Sequence, residues 1–569
     1  MLRLLFASSC LALCGCGLGV LDELAKVPVC DSQATDPECE ALFGSSTGGA
    51  GVPTTTAMTD ATSGGSGVHT VTGDTTLADS TAAADGAGTG EPADPAPTID
   101  LFTAEPDQLS EAGQSRLQLH ASPDVVAVRL YQNGEKLADL TPADFPYTYE
   151  ALSAKYNGDP HIFKVEARDA AGQTATDHLE LKVLLPASGT ERCSFTDEGM
   201  GAASSAITAV VYGKDAIVAA GWRDAGKGQR MTVWKLDKAS CDPIPGWPKT
   251  IADWTMDPAL AMQASQAVGV AIDASGYIAV AANLWPGGKP QMYAALLTPQ
   301  GSRIWERPGK LGEQAAAIAA GDGHRVFVTG SVRTSDNPVL TDARTWGLNF
   351  DNESLTVWSS DLAAPFTPEE ADPDIDNKWS ERGRAVLVWN GEVFVACERE
   401  FMDDQKEVFT RTSIARYQPF GGLIGPPRTS PGDFLSHEAM NALAICGTDL
   451  IAGGWTRDKA PGASPVPLMR WIEPDGKSSA GHSELLPSTR TFGVGCDREG
   501  KIVSGGTSTA GALNTQVFAS EDPKNPPILY DAGVTGDDAT LTLACDPDEG
   551  FCAGGGFRSP FAYLRVYHP

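Results

Sequence analysis

The strongest constraint on this chain is a unit that recurs seven times between residues 190 and 569. Each unit is a strand, a polar turn and a second strand ending in small residues: VVYGKDAIVAAGW (210–222), GVAIDASGYIAVAANL (269–284), AAIAAGDGHRVFVTGS (316–331), AVLVWNGEVFVACE (385–398), ALAICGTDLIAGGW (442–455), FGVGCDREGKIVSGG (492–506) and LTLACDPDEGFCAGG (541–555). The marker residue falls at Gly221, Asn283, Gly330, Cys397, Gly454, Gly506 and Gly555, at steps averaging about 56 residues. Between markers lie a third strand (MTVWKLD, MYAALLTPQG, TWGLNFD, TSIARYQ, LMRWIEPDG, TQVFASED, AYLRVY) and, less regularly, a fourth such as SRIWERPG or LTVWSSD. Self-similar units of this kind bury their apolar faces against one another.

A solenoid coil would repeat every 20–30 residues or so, whereas four short strands per unit match a propeller blade. The fold expected is all-β, with a seven-bladed β-propeller over 188–569. The last unit ends on its third strand, and an orphan segment, ERCSFTD (191–197), precedes the first. Pairing the two would close the ring and hide its edges. The small residues at the end of the second strand imply close approach of neighbouring blades. Cys446, Cys496 and Cys545 share one repeat position and read as core packing, each thiol serving as a small hydrophobe. Cys545 and Cys552 flank a hairpin turn and can form a cross-strand disulfide.

Residues 97–187 alternate with period two in SRLQLHA, VAVRLYQNGEKLADL, YTYEAL and HIFKVEARDAAGQTATDHLELKVLL, separated by Asn-Gly, Asn-Gly-Asp and Ala-Gly turns. Tyr131 to Leu137 around Asn133-Gly134 reads as a hairpin. The pattern indicates a small β-sandwich. FKVEARDAAGQTATDHLELKV resembles a bacterial Ig-like or fibronectin-like module, which implies a spacer between anchor and propeller.

The N-terminus sets the compartment. Arg3 precedes an apolar run of about ten residues, too short for a helix to cross about 30 Å of hydrocarbon, so 1–15 reads as an export signal. Leu13-Cys14-Gly15-Cys16 resembles a bacterial lipobox, departing from it at Cys14. That resemblance implies lipidation of Cys16, and Gly17 in place of Asp implies an outer-membrane address. The alternative is a plain secretory signal, leaving the protein periplasmic or secreted. Residues 16–96 are rich in Ser, Thr, Gly and Ala. From about residue 40 almost no large apolar side chain offsets the entropy of ordering them, so they read as a disordered tether. Nine cysteines follow Cys16. Cys30 and Cys39 can close a local loop, and the odd count implies a free thiol.

With 73 acids against 42 Lys plus Arg, the net charge of −31 disfavours nucleic acid. The eight histidines are scattered and no Cys-x-x-Cys occurs, so zinc, haem and iron–sulfur spacings are absent. Turn acids Asp215, Asp273, Asp322, Asp449, Asp497 and Asp548 adjoin short Gly hairpins and read as turn formers. Asp372, Asp374 and Asp376, alternating inside a long insertion, form a candidate calcium loop; Asn377 and Gly383 stand where an EF-hand needs Gly and Glu. No other cofactor is implied.

YAALLTPQGSRIWERPG (293–309) resembles blades of pyrroloquinoline-quinone dehydrogenases through Trp305 and Trp358, without that family's adjacent cysteine pair. The whole layout resembles repeat-containing envelope lipoproteins of myxobacteria. It implies a monomeric, surface-anchored, non-enzymatic binding or scaffold lipoprotein whose propeller engages an envelope protein or polysaccharide. The alternatives are a propeller enzyme acting on a glycan by paired acids and a quinone-dependent dehydrogenase.

Overall fold

The computed structural model describes residues 95–568 apart from short segments, the longest being 362–379, 473–487, 519–527 and 531–538. The first sheets form a β-sandwich. Ile99–Glu105, Gly113–Ala121 and Tyr147–Ala151 make one sheet; Gln108–Leu109, Val125–Gln132, Glu135–Leu140, His161–Asp169 and Thr174–Val183 make the other. Alternation decides which side chains face inward, so His161–Asp169 buries His161, Phe163, Val165 and Ala167 in turn. Phe102, Leu117, Leu130 and Leu181 complete the core around them. Asn133 and Gly134 both take positive φ (50° and 87°), as a two-residue hairpin turn demands.

Seven further sheets follow. Their first strands are Ser204–Tyr212, Ser265–Ile272, Glu313–Gly321, Glu381–Trp389, Ser436–Cys446, Ser488–Cys496 and Ala539–Cys545, here numbered blades 1 to 7. Blades 1 to 4 and blade 6 each hold four consecutive strands, and blade 5 holds three among the described residues. Second strands are covered on both faces and both edges. Ile278–Leu284 is buried at every position, which explains why such strands read as unbroken runs of small apolar residues.

Each first strand packs on the first strand of the next blade, and that of blade 7 packs on that of blade 1. Blade 7 takes its fourth strand from the beginning of the repeat region: Glu191–Thr196 runs antiparallel to Phe561–Tyr567, with Phe195 opposite Leu564 and Cys193 opposite Val566. This is the pairing that the two leftover segments implied.

Every first strand carries a β-bulge at the same place. One residue is skipped in pairing with the second strand: Thr208, Val268, Ala316, Arg384, Asn441, Phe492 and Leu541. A bulge interrupts the ladder and leaves backbone groups in need of partners. The preceding blade supplies several. Thr208 Oγ1 donates to Ala267 O (2.7 Å), Asn283 Nδ2 to Ala315 O (2.9 Å) and Asn441 Nδ2 to Thr491 O (3.0 Å).

The bulge corrects the expectation for part of the small-residue set. A Cβ on Gly221, Gly330 or Gly454 would lie 1.9, 1.9 or 1.7 Å from the carbonyl oxygen of Ala206, Gln314 or Ala439, all in the same blade's own first strand. Close approach is therefore within the blade at these positions; the neighbouring blade is met, as expected, at Gly453, Gly505 and Gly555, whose Cβ atoms would lie 3.1, 2.8 and 2.7 Å from Thr491, Thr540 and Ile207. Pairing also moves the marker by one residue in two units. Ala282 and Gly556, not Asn283 and Gly555, stand beside the bulge in blades 2 and 7.

A second repeating feature lies three residues before the bulge. Ser205, Ser265, Glu313, Glu381 and Glu438 occupy that position in blades 1 to 5, and each bonds to the preceding blade. Ser205 Oγ accepts from Ala562 N (2.8 Å) and Ser265 Oγ from Met231 N (2.9 Å). Glu313 Oε2 accepts from Lys310 N (2.7 Å), Glu438 Oε2 from Thr412 Oγ1 (3.3 Å), and the Glu381 carbonyl from Thr341 Oγ1 (3.0 Å).

Gly221→Ala should cost about 2 kcal/mol or more, because a backbone carbonyl rather than a flexible side chain must move. Gly113→Ala in the sandwich, whose Cβ would meet only Glu111 O at 3.9 Å, should stay within about 0.5 kcal/mol of the parent. Denaturation midpoints of the two variants check the contrast, and equal midpoints would contradict it.

Candidate functional site

Antiparallel strands give each blade two unlike ends. The turns joining first to second strands lie at one, here the turn end; the loops joining second to third strands and the blade-to-blade connections lie at the other, the connection end. The sandwich meets the propeller at the turn end. Arg192, at the start of the closing strand, pairs with Glu111 of the sandwich (2.9 Å) and Glu549 (3.6 Å), and Arg498 pairs with Glu150 (2.6 Å). Ala112 packs against the core shared by blades 7 and 1.

All three disulfides among the described residues sit at this end. Cys193–Cys241 joins the closing strand to blade 1, Cys446–Cys496 joins blade 5 to blade 6, and Cys545–Cys552 spans the blade 7 hairpin. Cys446, Cys496 and Cys545 are thus bonded, not free thiols packed as small hydrophobes. One repeat position in adjacent blades brings the Cα atoms of Cys446 and Cys496 to 5.2 Å, within disulfide reach. Cys397 is the free cysteine among the described residues.

The turn acids divide. Asp273 Oδ1 accepts from Ser275 N and Tyr277 N (both 2.9 Å), and Asp497 Oδ1 from Glu499 N (2.9 Å). In blade 7 the turn former is Asp546, which accepts from Asp548 N (2.9 Å), rather than Asp548 itself. Asp215, Asp322 and Asp449 are exposed. Trp305 and Trp358 pack between blades, with Trp358 Nε1 donating to Pro419 O (3.0 Å). Cys16, Cys30, Cys39, Asp372, Asp374 and Asp376 lie outside the described residues. The strands flanking the long insertion, Ser354–Asp361 and Glu381–Trp389, finish and begin at the connection end.

Blades 3 to 5 hold a buried set of acids and arginines. Arg384 holds Glu398 through two bonds (2.7 and 2.8 Å), Arg470 pairs with Glu438 (2.8 Å), and Arg344 with Glu313 (3.4 Å). Glu381 differs from these. Burial pushes its carboxyl up to about 7; Arg399, at 3.3 Å, opposes the rise and the nearby Asp342 charge adds to it. Burial, and then the charge on Glu381, raises the Cys397 thiol far above its ordinary range, so Cys397 is an inert thiol rather than a nucleophile. Perturbed acids of this kind cluster at functional sites.

A cleft of about 230 Å³ opens at the same end of the propeller, where the closing strand meets blade 7. It is lined by Thr196, Glu198, Arg558, Pro560, Phe561 and Ala562. Sequence reasoning missed both places. The buried acids had a readable signal, a Ser or Glu 16 to 18 residues before each marker in blades 1 to 5; the cleft had none, because its two walls are more than 350 residues apart.

No protein-family model matches the chain, and no curated protein is similar to it. Among solved structures, it is similar to a protein of unknown function from Dyadobacter fermentans (13% identity, 64% of this chain and 95% of that one, TM-score 0.36). It is similar also to an α-L-arabinanase of Penicillium chrysogenum complexed with arabinobiose (7%, 55% and 94%, 0.36). A third is the C-terminal WD40 domain of Sif2 (9%, 67% and 98%, 0.35).

The raised Glu381 gives a pH signature. Its folded value lies above the unfolded one, so the folded state holds the extra proton; that stability is fully present below about pH 4.5 and is lost as pH rises through about 7. Glu381→Gln should therefore gain on the parent in melting temperature between pH 5 and pH 8. A difference that does not change with pH would contradict the assignment.

Proposed function

We propose that this is a surface-anchored, non-enzymatic binding or scaffold lipoprotein, held by acyl chains on Cys16, whose propeller engages an envelope protein or polysaccharide through its connection end. The observation that carries the reading is the division of labour between the two ends. The sandwich and the disulfides among the described residues occupy the turn end, whereas the connection end carries the strand ends Asp361 and Glu381, the cleft and the exposed Met256 and Met262. No helix among the described residues is long and apolar enough to cross a membrane, and the lipid is the attachment proposed. Binding residues collect on loops held by a rigid scaffold, which suits this arrangement.

A second reading, glycan hydrolysis by paired acids, is favoured by one feature. Glu381 keeps its proton near neutral pH beside Asp342, as a general acid must.

The test is saturation binding of the mature full chain to isolated envelope fractions and surface polysaccharides. Substitution of Met256 and Met262 by Glu should weaken saturable binding at least tenfold, and Arg129→Glu on the sandwich should leave it unchanged. Binding lost with the sandwich variant and kept with the other would overturn the reading. Turnover of a glycan that Glu381→Gln abolishes would replace it with the enzymatic one.

A further inference from the structure

Resting on the reading of the connection end as a binding face, we propose that the cleft between the closing strand and the loop joining the second and third strands of blade 7 is a binding site for one ring of an uncharged saccharide. Its size argues first. At about 230 Å³ it is smaller than the roughly 300–1,000 Å³ that encloses a drug-sized ligand, so it takes a single ring of a longer chain.

The lining argues next. Arg558 offers a fork of N–H donors, Glu198 only acceptors, and Thr196 a hydroxyl that does both. Phe561 and Pro560 supply apolar surface between them. A sugar ring presents the complement: hydroxyls that donate and accept around its edge, and C–H groups on its faces. Arg558 and Glu198 are both exposed, and neither side chain forms an ion pair or hydrogen bond with another described residue, so the side chains' bonding capacity is left for a ligand.

The walls are held rigidly, which lowers the cost of ordering them on binding. Asp197, between Thr196 and Glu198, is fully buried. Its carboxylate accepts from Arg223 Nε (2.8 Å) and Trp234 Nε1 (3.4 Å), and its N–H donates to Ala562 O (2.9 Å). Across the cleft, Ser205 of blade 1 donates its N–H to Pro560 O (3.0 Å) and accepts from Ala562 N (2.8 Å). Closing strand, blade 7 and blade 1 all contribute, so the site exists only once these three are assembled. The charge of the chain sets the ligand class. One cation and one anion cancel in the cleft, and a net −31 repels acidic polymers, which leaves neutral sugars.

The experiment is saturation-transfer NMR of the mature full chain with neutral glucan, galactan and arabinan oligosaccharides and, in parallel, oligogalacturonate. The expected result is saturable binding of at least one neutral oligosaccharide, weakened tenfold or more by Arg558→Ala and by Glu198→Gln, with melting temperature unchanged by either. Preference for oligogalacturonate, binding that both variants leave intact, or no binding of any neutral oligosaccharide would each overturn the proposal. Binding that survives both variants but falls with the Met256 and Met262 substitutions leaves the connection-end reading standing and removes this cleft from it.

Discussion

The pairing of Glu191–Thr196 with Phe561–Tyr567 is the constraint on which the rest of the propeller depends. It joins the two extremes of the repeat region, so it pays the entropy of closing a very long loop once, a cost that grows only slowly with length. In return it covers the outer edge of Phe561–Tyr567, brings Cys193 to Cys241, and buries Asp197 against Arg223 and Trp234. The cleft of Thr196, Glu198, Arg558 and Phe561 is a by-product of the same pairing.

Between closure points, the blades are held by a division between apolar packing and recurrent polar contacts. Faces of Val, Ile, Leu and Ala supply most of the burial through contacts that are not directional. Register comes from the bulges, whose freed carbonyls at Ala267, Ala315 and Thr491 are taken up by Thr208, Asn283 and Asn441 of the blade before. The Ser or Glu three residues upstream adds a second bond across the same seam. A slip of one residue would leave both sets of buried groups unpaired, at about 1–3 kcal/mol for each.

The seven units, their strand order and the closing segment were legible because each is a local pattern repeated in the chain. The second strands announced themselves as small apolar runs, and Asn133-Gly134 as a hairpin. What was not legible depends on where two units touch. Nothing in FGVGCDREG says that Cys496 faces Cys446 of the blade before it, and the shared repeat position misled, because equivalent positions in neighbouring blades meet when both side chains sit at the seam. Asn283 looked like an irregular member of a glycine series; it is one residue out of register with that series and has its own task, two hydrogen bonds to Ala315. The burial of Glu381 likewise comes from the blades around it and not from its neighbours in the chain.

The central claim is that the ring is closed by a strand from before the first unit, and the most direct measurement is a peptide analysis of the unreduced full chain. Cleavage without reduction should release the Cys193 peptide covalently joined to the Cys241 peptide, 48 residues apart in sequence, and reduction should separate them. Recovery of Cys193 as a free thiol, or joined to a cysteine other than Cys241, would contradict the closure described.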